Sequence, residues 1–241
     1  MEDLANRLGR VSHFRHLPVQ ALLTIVTSGR LRRFAAGTAI FHEGQPCAGM
    51  FVLLSGRVNM CRPGPQGQEQ IVAVIDPVIM FNEVAVLDGG PNPTTAFAVR
   101  PCVTWQIGYQ EFQRLMQQYP DPAVALGLLR VLAARNRALI ARCEDLSYRS
   151  VQARLAKLLL GLSHNGSRPI ARQDYPIREL SGHVGTVPEL VSRSLRILED
   201  GGLISFTRAQ IVVTDVQGLA RLAQIEICAA AGGSGEPDRP A

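Results

Sequence analysis

The spacing of apolar residues along the chain changes twice, and each change predicts a different kind of element. Residues 4–30 carry apolar side chains at helical intervals, with Leu17-Pro18 marking the start of a helix over 19–28. From Leu31 the period shortens: Phe34, Ile40 and Phe41, then 50–54, 58–60, 71–75 and 103–107, form short β-rich runs separated by Gly, Pro and Asn. Gly37, Gly44 and Gly56 stand at corners where a turn calls for positive φ. Many short strands with tight corners predict a small antiparallel roll or barrel.

Helical spacing then returns. After a short helix over 111–119, residues 121–146 (DPAVALGLLRVLAARNRALIARCEDL) read as one long helix, capped by Asp121 and opened by Pro122. Val124, Leu128, Val131, Leu132, Leu139 and Ile140 form an apolar seam, with Arg130, Arg135, Arg137 and Arg142 outside it, a pattern that calls for a partner helix. Residues 150–162 are amphipathic through Val151, Leu155, Leu158 and Leu159, and a polar loop over 164–173 follows. Ile177, Leu180 and Val184 then share a helical face, Gly185-Thr186 breaks the run, and Val191, Leu195 and Leu198 form a second stripe behind Pro188, whose fixed φ suits a helix's first turn. Gly201-Gly202 ends that helix, and residues 203–206 and 211–213, joined by a turn at 207–210, read as a two-stranded wing. Asp215 and residues 216–222 close the region, and the small, polar, proline-rich residues beyond Cys228 predict a disordered tail.

The candidate chemistry lies on the second of the two short helices. With Val191, Leu195 and Leu198 turned inward, Glu189, Ser192, Arg193 and Arg196 project from the opposite side at spacings that bring neighbours together. Such a face suits a DNA major groove. An arginine can bond guanine O6 and N7 as a fork, a glutamate can accept from cytosine N4–H, and a serine can bond either kind of edge. Arg196, one turn further on, suits a phosphate, and Thr186 in the preceding turn is a further DNA-contact and capping candidate. The bland reading of the same face is a solvated helix surface, since Glu–Arg pairs at this spacing are ordinary decoration.

Composition narrows the class without naming it. The 241 residues allow two modest domains. No apolar run is long enough to span a bilayer, and MEDLANRLGR lacks a signal-peptide pattern, so a cytoplasmic protein with no membrane partner is expected. The net charge of +5 is spread along both halves and by itself announces nothing about nucleic acid. Cys47, Cys61, Cys102, Cys143 and Cys228 have no metal-ligand spacing, and their odd number argues for free thiols, with a Cys47–Cys102 redox pair as the alternative. Without a phosphate-binding glycine loop, a nucleophile elbow or a His–Cys cluster, an enzyme is not expected.

The helix–turn–helix and wing, with PELVSRSLRILEDGGLI at their centre, closely resemble the DNA-binding half of the Crp/Fnr family of bacterial transcription regulators. The segment FAAGTAIFHEGQPCAGMFVLLSGRV likewise resembles the opening of that family's β-roll sensor. The resemblance runs from about Leu8 to Leu222 and implies an α+β protein: a cupin-like antiparallel β-roll of the cyclic-nucleotide-binding type over 1–120, a dimerisation helix over 121–146, and a winged helix-turn-helix over 147–228, ahead of the tail at 229–241. Glu189, Ser192 and Arg193 match the Glu-x-x-Ser-Arg reading set of the Fnr-like branch, while Pro188 stands where Crp has a base-reading arginine. A palindromic TTGA-like site is therefore implied, in place of Crp's TGTGA. A homodimer would set two recognition helices roughly 34 Å apart on successive major grooves. Contact with RNA polymerase, and hence activation, is also implied, with repression equally open.

FNEVAVLDGGPNPTT resembles the family's ligand cassette, in which a helix N-terminus and an arginine hold a cyclic nucleotide's phosphate and a glutamate holds its ribose. Glu83 matches the glutamate and Thr94, followed by Thr95, the hydroxyl residue, but Pro93 stands in the arginine's place, and no Lys, Arg or His occurs between Arg62 and Arg100. Leu139-Ile140 replace the Thr-Ser pair that touches adenine in cAMP-binding members. An unpaired buried phosphodiester charge would cost several kcal/mol, so tight cAMP or cGMP binding is not expected. For Glu83 the competing role is that of a helix-capping acid without a ligand. An Fnr-type iron–sulfur cluster is not expected either, because no cysteine precedes Cys47. The alternative kept beside this reading is a haem-based gas or redox sensor of the same fold, with His13, His16 and His42 as candidate ligands.

Overall fold

The computed structural model describes residues 2–9, 19–64, 69–118, 120 and 122–226. The expected helix start at Leu17-Pro18, the cap Asp121, His13, His16, Cys228 and the tail at 229–241 lie outside the described residues. The chain divides into two compact units, residues 1–147 with 181–187 and residues 148–180 with 188–241.

In the first unit α1 (Glu2–Leu8) and α2 (Val19–Ser28) lead into β1 (Arg30–Phe34), β2 (Ala39–Phe41), β3 (Met50–Ser55), β4 (Val58–Pro63), β5 (Glu69–Ile75) and β6 (Met80–Phe81). Then follow α3 (Glu83–Asp88), β7 (Thr95–Ala98), β8 (Cys102–Ile107), α4 (Tyr109–Gln118) and α5 (Pro122–Tyr148). The strands form two four-stranded antiparallel sheets, ordered β1-β8-β3-β6 and β2-β7-β4-β5, so that apart from the hairpin of β4 and β5 each consecutive pair of strands changes sheets. Gly56 makes the corner between β3 and β4 at φ 98, where an added Cβ would come within 2.5 Å of the Pro101 carbonyl oxygen.

β3 shows why its sequence is a nearly unbroken apolar run: both of its faces are buried. Phe51 and Leu53 point between the sheets with Phe41, Val58, Ile75 and Phe81, the rings of Phe51 and Phe81 lying 5.2 Å apart. Met50, Val52 and Leu54 point the other way, into a core shared with α2, Trp105, Leu115, Val124 and Leu128. Trp105 is fully buried, and its indole N–H donates to the Val26 carbonyl at 3.2 Å, which ties α2 to β8.

The first two turns of α5 thus belong to the roll. The rest of its seam does not: Val131 and Leu132 are half-buried, Leu139 and Ile140 are 50% and 53% exposed, and Leu129 is 61% exposed. Arg135 and Arg142 depart from the expected arrangement, being half-buried rather than outside. Arg135 turns toward the cassette because a buried carboxylate waits there.

The second unit holds α6 (Val151–Leu162), β9 (Ile170–Ala171), the start of α7 (Ile177–Val184), α8 (Pro188–Asp200), β10 (Ile204–Phe206), β11 (Gln210–Val213) and α9 (Val216–Ala223). The Ser150 hydroxyl caps α6 by accepting the Ala153 N–H at 3.1 Å, and Asp215 caps α9 by accepting that of Gly218 at 2.8 Å. The wing has three strands, ordered β10-β11-β9, where the sequence predicts two. β9 comes from the expected polar loop: two residues are too few to show alternation, yet Ile170 is buried and pairs with Ile211.

Candidate nucleic-acid interface

α8 sorts its side chains into two populations. Val191, Leu195 and Leu198 are fully buried, and Ser194 joins them. Glu189, Arg193 and Arg196 are exposed and Ser192 is half-buried, so the acid, the hydroxyl and the guanidinium of the predicted reading set lie along one open edge. Thr186 in the turn before the helix is half-buried. Glu199 continues the same stripe at the helix's far end and accepts the Phe206 backbone N–H at 3.0 Å, fastening β10 to α8. The Leu203 N–H bonds the Leu198 carbonyl at 3.0 Å and closes the helix into the wing.

The expected effector residues separate into two groups. Glu83 is fully buried at the first position of α3, and Thr95 is buried with its hydroxyl accepting the Glu43 N–H at 3.0 Å. Thr94 is half-buried, and its hydroxyl has no hydrogen-bond partner among the described residues. Leu139 and Ile140 are exposed on α5.

The roll also supplies a cation that the interval from Arg62 to Arg100 lacks. Arg135 of α5 forms an ion pair with Glu83 and donates to the Met80 carbonyl at 2.5 Å. Burial pushes the Glu83 carboxyl above its ordinary range, and the Arg135 guanidinium opposes that rise. The signal was present in the sequence, since Arg135 stands one helical turn before Leu139, but a search confined to the cassette passes over it. Asn82 is the other residue that sequence reasoning missed. It takes the left-handed conformation at φ 63, and its amide donates to the Gly49 carbonyl at 2.8 Å and to Asn92 Oδ1 at 3.0 Å. Asn92 in turn donates to the His42 carbonyl at 3.1 Å and accepts the Ala48 N–H at 3.0 Å, clamping the cassette to the loop after β2.

Of the candidate haem ligands only His42 lies among the described residues; it is exposed, its ring edge-on to Phe97 at 6.5 Å. Among the described residues no group of three or more His, Cys, Asp and Glu could hold a metal ion. Cys47 packs against the helical core, Cys102 lies between the sheets, and both are free thiols. Burial raises the Cys102 thiol above its usual range, and its S–H lies within hydrogen-bond reach of the Arg57 and Arg100 carbonyls, which leaves it a poor nucleophile. No described helix is long and apolar enough to cross a membrane.

A sensor-type antiparallel roll, a long helix and a winged helix-turn-helix with an open polar edge define a DNA-binding transcription regulator of the two-part kind. Residues 31–119 match the cyclic nucleotide-binding domain and residues 153–222 the Crp-like helix-turn-helix domain. The chain is similar to the CRP-like cAMP-activated global transcriptional regulator of Mycobacterium tuberculosis, at 26% identity over 90% of this chain and 98% of that protein. It is also similar to the cyclic AMP receptor protein of Thermus thermophilus, at 29% identity over 80% and 87%. The fold matches that of the c-di-GMP-responsive global regulator CLP of Xanthomonas campestris with a TM-score of 0.71, at 19% identity over 81% of this chain and 99% of that one. The chain belongs to the Crp/Fnr family of transcription regulators, which are not enzymes.

Proposed function

We propose that the protein is a cytoplasmic homodimer that reads a palindromic site of TTGA-like half-sites, one recognition helix to each. The observation that carries this reading is the open edge of α8, with Glu189, Ser192 and Arg193 facing out above the fully buried Val191, Leu195 and Leu198. Arg193 forks onto a guanine, Glu189 accepts from a cytosine, and Ser192 bonds an adjacent edge. Arg196 and Thr186 hold phosphates. Residues 1–120 sense, 121–146 dimerise and 147–228 read, with 229–241 as a tail; contact with RNA polymerase turns binding into regulation. Control is a population shift, in which whatever the roll responds to favours the DNA-competent arrangement.

The cyclic-nucleotide response in the relatives' names does not extend to this chain. Pro93 stands in place of the phosphate arginine, and Arg135 is committed to Glu83 and the Met80 carbonyl, so a phosphodiester would have to break an existing ion pair to gain one. Titration calorimetry with cAMP is expected to give no binding heat at micromolar ligand, and a saturable isotherm there would refute this part of the reading.

Selection of bound duplexes from random oligonucleotides tests the reading face. The parent protein is expected to enrich an inverted repeat, and Arg193→Ala to lose about 1–3 kcal/mol of discrimination at one G·C pair in each half-site. A uniform loss across all sequences would make Arg193 a phosphate contact instead.

A further inference from the structure

The long helix α5 carries two stripes. Val124 and Leu128 are buried in the helical core of the roll, and Arg135 extends that face to Glu83 and the Met80 carbonyl. About a quarter-turn around the helix runs a second set, Leu129, Leu132, Asn136, Leu139, Cys143 and Leu146, whose members recur strictly at alternating intervals of three and four residues. That is the a/d repeat of a two-stranded coiled coil, with Leu129, Asn136 and Cys143 at a and Leu132, Leu139 and Leu146 at d. Leu132 is half-buried and the others are exposed.

Asn136 interrupts the apolar character in the middle of this set. Its side chain has no hydrogen-bond partner among the described residues, and its neighbours one turn away along the stripe are Leu132 and Leu139. A carboxamide brings two N–H donors and a carbonyl acceptor, so a purely apolar partner covering it would strand those groups out of water. A second Asn136 satisfies them, the amide of one copy donating to the carbonyl of the other. Only one alignment of two such helices brings the amides together. In a parallel, unshifted pair each a position faces its own copy across the two-fold axis. An antiparallel pair sets a against d and puts Asn136 opposite a leucine, and a slip of one heptad puts it opposite Leu129 or Cys143. In the unshifted pair the free thiol of Cys143, one heptad further on, also meets its own copy.

We infer that Asn136 hydrogen-bonds Asn136 of a second copy across the α5 seam, and that this amide pair selects the parallel, in-register pairing of the chain. This rests on the reading of residues 121–146 as the dimerising helix. The pair costs dimer stability relative to a leucine at the same place. It supplies orientation in return, because antiparallel and slipped pairings, which would misplace the two reading helices on a duplex, leave the amides unsatisfied.

The test is partner choice. Isotope-labelled parent protein is mixed with an equal amount of unlabelled Asn136→Leu, left to exchange subunits to equilibrium, and weighed intact by native mass spectrometry. A mixed dimer sets one amide against leucine, a penalty of about tenfold, so mixed dimers are expected at about a tenth of the total instead of the half that random pairing gives. Arg137→Leu, one residue away and off the stripe, should mix at random with the parent. Leucine is a better helix former than asparagine, and thermal unfolding checks that both variants are folded. Register is read separately: diamide, which takes up the two thiol hydrogens, is expected to join the parent into a disulfide-linked dimer that Cys143→Ser does not form. Random mixing of folded Asn136→Leu with the parent overturns the amide pair while the cross-link keeps the reading of α5 in place. A parent dimer that does not cross-link through Cys143 overturns the in-register pairing. If the parent sediments as a monomer, it is the reading of α5 that fails.

Discussion

Glu83 and Arg135 hold the most consequential single contact in the roll. A carboxylate fully out of water is tolerated when a cation faces it, and in this chain the cation comes from α5 instead of the cassette or a ligand. The pair also gives the protein a pH signature. Burial raises the Glu83 pKa above its ordinary 4.5, so the folded chain keeps a proton that the unfolded chain has already released. Stability from this group therefore falls as pH rises from 4.5 through the folded-state value. Glu83→Gln removes that dependence. In urea titrations across the window the variant is expected to gain on the parent as pH rises, and a difference that stays constant with pH would contradict the assignment.

Turns show where the chain holds strain. Val78, in the connection from β5 to β6, sits at φ 70, a conformation that a β-branched residue seldom adopts. Its N–H donates to the Leu53 carbonyl at 2.7 Å, and the Leu53 N–H returns to the Ile79 carbonyl at 3.0 Å, so the strained turn is pinned to β3 just ahead of the cassette. Two substitutions that remove the same packing separate the backbone contribution. Val78→Gly is expected to be more stable than Val78→Ala by about 1 kcal/mol, the reverse of their order in a helix, because only glycine adopts positive φ freely. Equal midpoints in chemical denaturation would show that no such strain exists.

The exposed length of α5 bears on assembly. Leu129, Leu139 and Ile140 leave on one chain an apolar surface that water would disfavour, and in the proposed homodimer a second copy of the same helix would cover it by symmetry. Leu139→Glu keeps a helix-compatible residue at a position already half exposed, so the chain is expected to fold normally yet sediment as a monomer. With the two reading helices uncoupled, affinity for a palindromic duplex should drop by roughly 100-fold or more. A dimeric Leu139→Glu protein with parent-like affinity would place the assembly surface elsewhere.

Much of this was legible in the residues. The stripe of Val191, Leu195 and Leu198 announced α8, and its opposite edge followed from helical geometry, because a period of 3.6 fixes which side chains share a face. The strand runs of the roll and the turns at Gly37, Gly44 and Gly56 were equally plain, since alternation and positive φ are local demands. Other features depended on meetings between residues far apart in the chain. Ile170 became a strand by pairing with Ile211, Arg172 joined the wing tip through Ala209, and Arg135 turned inward to the Glu83 carboxylate, far earlier in the chain. Local pattern settled which elements exist and which faces they show; only the tertiary structure decided which charges meet, because a buried carboxylate takes its partner from whichever element the fold brings within reach.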